Sequence, residues 1–125
     1  MNLQDLSSLV NGTLLSNNAS VTREVKGAFA ADLMSDVLAS IQPEAVLVTG
    51  LCNPQVIRTS QMADVAAIIL VRGKKPQPET LALAKEEGIP FIFTPHGMYE
   101  VCGLLHRAGL ISLEHTVESD NCDCE

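Results

Sequence analysis

AVLVTGLCNPQVIRTSQMADVAAIILVRG, residues 45–73, is the stretch that decides the fold. It opens on the unbroken apolar run Ala45-Val46-Leu47-Val48-Thr49 and closes on a second run, Ala66 to Val71. An apolar run without polar alternation is what a strand covered on both faces requires. Between the two runs, Asn53 and Pro54 open a helix. An asparagine oxygen accepts from the free amides of a first turn, and proline lacks the one N–H that would stay unpaired there. Val56, Ser60 and Ala63 give this helix a narrow, small-residue face. Strand, helix and strand at this spacing predict two parallel strands joined by a crossover helix.

The same alternation extends in both directions. Upstream, Leu3, Leu6 and Val10 recur at helical spacing until Asn11-Gly12 turns the chain, and Thr13-Leu14-Leu15 is a short strand. Val25 to Ala30 reads as a small-residue strand. Met34, Val37, Leu38 and Ile41 then fall on one helical face, with Asp32 in capping position. Downstream, Lys74-Lys75-Pro76-Gln77-Pro78 leads into a helix carrying Leu81, Ala84 and Lys85 that Gly88 terminates. Pro90 to Thr94 is a further strand. The last helix carries Met98, Val101, Cys102 and Leu105 on a core stripe, leaves His106 off it, and stops at Gly109. The pattern predicts an α/β domain of three layers, with a mainly parallel sheet and helices on both faces.

The chain has 125 residues, enough for one hydrophobic core, and 46% of them are hydrophobic. No apolar run reaches the roughly 20 residues that span a bilayer, and residues 1–10 lack the basic and apolar segments of a signal peptide. A cytoplasmic location without membrane contact is the expectation. The net charge of −7 is concentrated at the end: Glu114, Glu118, Asp120, Asp123 and Glu125 leave ten acids facing eight bases in the remainder. The local bases are Arg72, Lys74 and Lys75, which read as a solvated turn. That distribution argues against nucleic acid, whose phosphates need clustered lysine and arginine. Residues 1–111 are expected to form the domain and 112–125 an acidic, flexible tail.

In open parallel sheets a ligand binds beyond the carboxyl ends of the strands. Those ends bring Asp32, Thr49, Gly50, Asn53, Arg72, Gly73 and His96 to one rim, as polar groups and turns around a small anion or a partner segment. For Asp32 and Asn53 a helix-capping role is the favoured reading. Neither G-x-x-x-x-G-K-[ST], G-x-G-x-x-G nor G-x-S-x-G occurs, so nucleotide hydrolysis and serine hydrolase chemistry have no motif, and no cofactor is identified. Cys52 lies at a helix start, where a thiol is activated; a packed, inert cysteine is the favoured alternative. Cys102 is expected in the core. Cys122 and Cys124, with His115, are metal-ligand types, but they supply at most three soft ligands, and contact by an acidic tail is the plainer reading.

Three segments carry a resemblance: 27–38, Gly27 to Leu38; 47–59, Leu47 to Thr59; and 69–76, Ile69 to Pro76. Together they resemble the DRTGG domains, which are similar to the N-terminal domain of HPr kinase/phosphorylase. The stretch from about Glu24 to Ile111 looks most like the short stand-alone members found beside iron-hydrogenase and related redox genes. The resemblance implies a three-layer α/β domain, often a homodimer, with a regulatory or ligand-sensing role and no established reaction; sensing a small ligand at the rim or docking onto a redox enzyme is the first reading. Where other members carry Thr-Gly-Gly after the third strand, this chain has Val71-Arg72-Gly73, which implies a different ligand. The runner-up is an accessory protein handling metal or redox equivalents through Cys122 and Cys124, with Cys52 or His115.

Overall fold

The computed structural model describes residues 1–15 and 23–116. In chain order these form α1 (Leu3–Leu9), β1 (Thr13–Leu14), β2 (Gly27–Ala30), α2 (Met34–Ser40), β3 (Val46–Thr49), α3 (Gln55–Met62), β4 (Ala67–Leu70), α4 (Pro78–Glu87), β5 (Phe91–Phe93), α5 (Met98–Arg107) and β6 (Ile111–Ser112). The described strands make one sheet in the order β1-β5-β4-β3-β2-β6. Neighbours from β5 across to β6 are parallel, and β1 alone joins antiparallel, through Thr13 opposite Phe93.

The two apolar runs take the middle of the sheet. All four residues of β3 and all four of β4 are buried, paired in register from Val46 opposite Ala67 to Thr49 opposite Leu70. Successive side chains of a strand point to opposite faces, and here each face has its own core. Val46, Val48, Ala67, Ile69, Val71 and Ile92 pack with Leu3, Leu6 and Val10 near α1 and Val101 and Leu105 of α5. Leu47, Ile68, Leu70 and Phe91 pack with Met34 and Val37 of α2, Val56 and Ile57 of α3, and Ala84 of α4. The three-layer α/β architecture expected from the sequence is the one found.

Several local expectations are corrected. Asp32 caps no helix: the residue before α2 is Leu33, which makes no side-chain cap bond. Leu38 is exposed rather than on the core face, because Met34, Val37 and Ile41 already fill the space over Phe29 and Leu47. Cys102 is half-buried at the margin of its core cluster, not inside it. The boundary drawn at residue 111 falls inside a strand. β6 pairs Ile111 with Gly27 and Ser112 with Ala28. Beyond it, Leu113 N donates to Ala28 O at 3.0 Å and His115 N to Ser40 O at 2.7 Å. Cys122 and Cys124 lie outside the described residues.

Candidate functional site

The connections after β4 and β5 leave the sheet on opposite sides. α4 packs with the α2 and α3 layer, whereas α5 packs with α1. Adjacent parallel strands whose connections diverge in this way form a switch point, where open α/β sheets bind ligands. The residues at that point are Val71-Arg72-Gly73-Lys74 after β4 and Thr94-Pro95-His96-Gly97 after β5.

Main-chain bonds fix these two loops to each other. Arg72 N donates to His96 O at 2.7 Å, and Gly73 N donates to Thr94 O at 2.9 Å. The path turns through two left-handed residues, Arg72 at φ +65° and Gly73 at φ +66°. Glycine adopts that region freely, while an arginine there is held against its preference by its surroundings. Thr94 is buried and donates its hydroxyl to Val10 O at 2.6 Å while accepting from His96 N at 3.2 Å. It braces the loop and is not free to meet a ligand.

The Arg72 side chain is held across the mouth of β3. Its Nη2 donates to Asp32 Oδ2 at 3.2 Å. Asp32 Oδ1 accepts the Gly50 amide at 2.7 Å and the Thr49 hydroxyl at 3.3 Å. A Cβ at Gly50 would overlap the Arg72 guanidinium, so glycine is what lets the arginine lie over this turn. The loops after β2, β3 and β4 are thereby joined through one carboxylate, whose side chain is 53% exposed while that of Arg72 is 44% exposed. An exposed pair of this kind contributes little to stability, typically about 0.2–1 kcal/mol; its consequence is to orient a cation whose guanidinium still faces solvent. Lys74 and Lys75 follow, both exposed.

The Gly50 amide, and after it the Arg72 guanidinium, hold the Asp32 carboxyl below its ordinary value against the opposing effect of partial burial. A carboxyl lowered in the folded state adds stability above its unfolded value, about 3.9, and loses it as pH falls through the folded value. Asp32→Asn, which keeps an acceptor for Gly50, is therefore expected to unfold with a shallower loss of stability below about pH 4 than the parent. Urea midpoints measured from pH 6 down to pH 3 check this; parallel curves for the two proteins would remove the carboxylate from the account.

The rim expected from the sequence thus divides. Asp32, Thr49, Gly50 and Arg72 form one bonded cluster, and Gly73 and His96 join it through the backbone. The His96 ring is half-buried and makes no hydrogen bond among the described residues. Asn53 serves the helix start, as the sequence suggested: its Oδ1 accepts from Gln55 N at 3.1 Å. Cys52 is half-buried, and its carbonyl accepts from Thr80 Oγ1 at 2.9 Å, which ties the loop to α4. Among the described residues no group of three histidine, cysteine or acidic side chains is placed to hold a metal. Spacing gave no sign of the Asp32–Arg72 link, which joins residues 40 apart. Beside the rim, Lys75 borders a hollow of about 270 Å³ walled by Leu15, Pro76, Leu81 and Phe93.

No curated protein matches the chain. Among solved structures, the fold is similar to the CBS and DRTGG domains of the regulatory region of Clostridium perfringens pyrophosphatase, complexed with its activator diadenosine tetraphosphate. The TM-score is 0.72 over 94% of this chain and 51% of that one, so the chain spans about half its length. With 16% identity, that likeness establishes the architecture alone. The sequence profile of the DRTGG domain matches residues 5–108. The chain therefore belongs to the DRTGG domain family.

Proposed function

We propose that this chain is a non-catalytic regulatory module that binds a small anionic ligand at the rim after β4 and β5. The observation that carries the reading is Arg72. It stands at the switch point of the sheet in a left-handed conformation, aimed by Asp32 and still half open to solvent. Lys74 and Lys75 extend the positive charge, and the hollow under Lys75 suits an apolar portion of the same ligand. The solved DRTGG neighbour is a regulatory region in complex with a polyphosphate dinucleotide, a ligand of that class. The rim offers an anchored cation and backbone turns, without a nucleophile held by a general base.

The test is calorimetric titration with diadenosine tetraphosphate, ATP and pyrophosphate as probes. At least one should bind the parent. Arg72→Ala should weaken it by about tenfold to a hundredfold, the range for a charged hydrogen bond. Asn53→Ala should also weaken it, more modestly, by loosening the adjoining loop. Neither variant should lose more than about 1–2 kcal/mol of stability, and phosphorus NMR should show the bound probe unchanged. Equal affinity in parent and variants removes the rim as the site.

Two finer expectations belong to the same proposal: a homodimer in the cytoplasm, and docking onto an iron-hydrogenase or other redox enzyme. Among the described residues no helix is long and apolar enough to cross a membrane. Capture from an anaerobic lysate that recovers a redox enzyme with the parent chain, and less of it with Arg72→Ala, would support the docking half.

A further inference from the structure

Helix α5 buries Val101 and Leu105 against the sheet and leaves Tyr99, Glu100, Gly103, His106 and Arg107 exposed. Tyr99 is 94% exposed, the most open large side chain among the exposed hydrophobic residues described. A tyrosine ring carries a large apolar area and gains nothing from standing in water. One turn further on, Gly103 sits mid-helix, where glycine is a poor choice. No contact within this chain calls for it, since a Cβ there would meet nothing within 4 Å. With Tyr99, Glu100, Cys102, His106 and Arg107, it frames a hollow on the outer side of the helix.

The charges on this face are segregated. Glu100 lies in the first turn, and His106 and Arg107 in the last. None of the three enters an ion pair among the described residues. Glu100 and Arg107 are seven residues apart, about two helical turns, and so share a face. A two-fold axis at Gly103 that sets two such helices antiparallel places each Glu100 opposite the other chain's His106 and Arg107. It also brings each Tyr99 to the other chain's hollow, beside Gly103 and over a guanidinium, where ring and cation attract. The missing side chain at position 103 lets the two helices approach. A second apolar hollow of about 220 Å³ continues from the same face, between α5 and β6, and is bordered by Ile111, 61% exposed.

Resting on the homodimer proposed above, we propose that the outer face of α5 is its contact surface, two copies of this chain packed antiparallel about Gly103. The match of an acidic and a basic end on one self-facing helix selects a second copy over an unrelated partner, because an isologous interface must complement itself. The surface is remote in role from the rim: it uses no residue assigned to ligand binding, so Arg72→Ala remains dimeric whatever that variant does to a ligand.

Sedimentation equilibrium of the full chain at micromolar concentrations tests this. The parent is expected to be a dimer. Glu100→Arg and Arg107→Glu each put like charges across the two-fold and should raise the dissociation constant by at least about tenfold. An equimolar mixture of the two single variants should sediment as a dimer again, since each supplies the charges the other lost. Gly103→Leu places a Cβ that meets nothing in its own chain and a side chain that intrudes on the two-fold, and should give a folded monomer by circular dichroism. A monomeric parent, single variants as dimeric as the parent, or a mixture that stays monomeric would each overturn the proposal.

Discussion

Leu47→Ala is expected to cost about 2–5 kcal/mol of folding stability, the range for emptying a fully packed leucine site. Leu47 is 0% exposed in the central strand β3, paired across to Phe29 on one side and Ile68 on the other. Its side chain faces the layer made by α2, α3 and α4, where it meets the cluster of Val37, Val56, Ile57 and Phe91. Strand β3 is hydrogen-bonded on both edges, so the backbone has little room to collapse into the vacated volume, and the cavity persists. A domain of this size is stable by only about 5–15 kcal/mol. Urea denaturation followed by circular dichroism should show a lower midpoint with an unchanged slope. A loss under about 1 kcal/mol would mean that the helical layer is not packed as described.

The second large effect is at Gly27, where a side chain would run into the backbone of the neighbouring strand. A Cβ on Gly27 would collide with the carbonyl oxygen of Ile111 and come within 2.6 Å of Leu113 Cγ. The carbonyl is part of the β2–β6 pairing and cannot rotate away as a side-chain tip would. Gly27→Ala should therefore cost about 1–3 kcal/mol, as overpacking does, and should concentrate the damage at one edge. The amides of Ile111 and Leu113, which donate to Lys26 O and Ala28 O, should lose hydrogen-exchange protection. Those of β3 and β4 should keep theirs. Unchanged protection at residues 111 and 113 would show that β6 is not held by this contact.

The centre of the fold was legible because burial on both faces leaves a mark on every residue. Val46 to Thr49 and Ala67 to Leu70 are each buried throughout, and short apolar runs rich in β-branched residues and bounded by turn residues read as buried strands. The edges were not legible. Both residues of β6 are exposed, so its side chains carry no periodic signal, and its pairing lives in backbone bonds to β2. Leu38 misled because helical spacing marks a face of about the right width, but the width of the groove that receives it is set by other elements.

At the rim, the sequence and the structure divided the work differently. The strand ends named loops that do lie together, because a parallel sheet puts every strand's carboxyl end on one side. Asn53 makes a bond that local geometry suffices to predict, its Oδ1 accepting from Gln55 N just ahead of α3, whose N-cap is Pro54. Asp32 was read as a cap by the same local rule and is instead the anchor of Arg72. That contact depends on how β2 and β4 flank β3, and on a glycine at position 50 that leaves room between them.

The sequence alone determined the layers, the parallel order of the central strands and the side of the sheet on which the strand-end loops gather. These follow from burial periodicity and chain direction, both written locally. Tertiary structure alone decided which carboxylate meets which guanidinium and that the last strand closes against Gly27. Those are contacts between residues distant in the chain, and their distances exist only once the sheet has set the spacing of its strands.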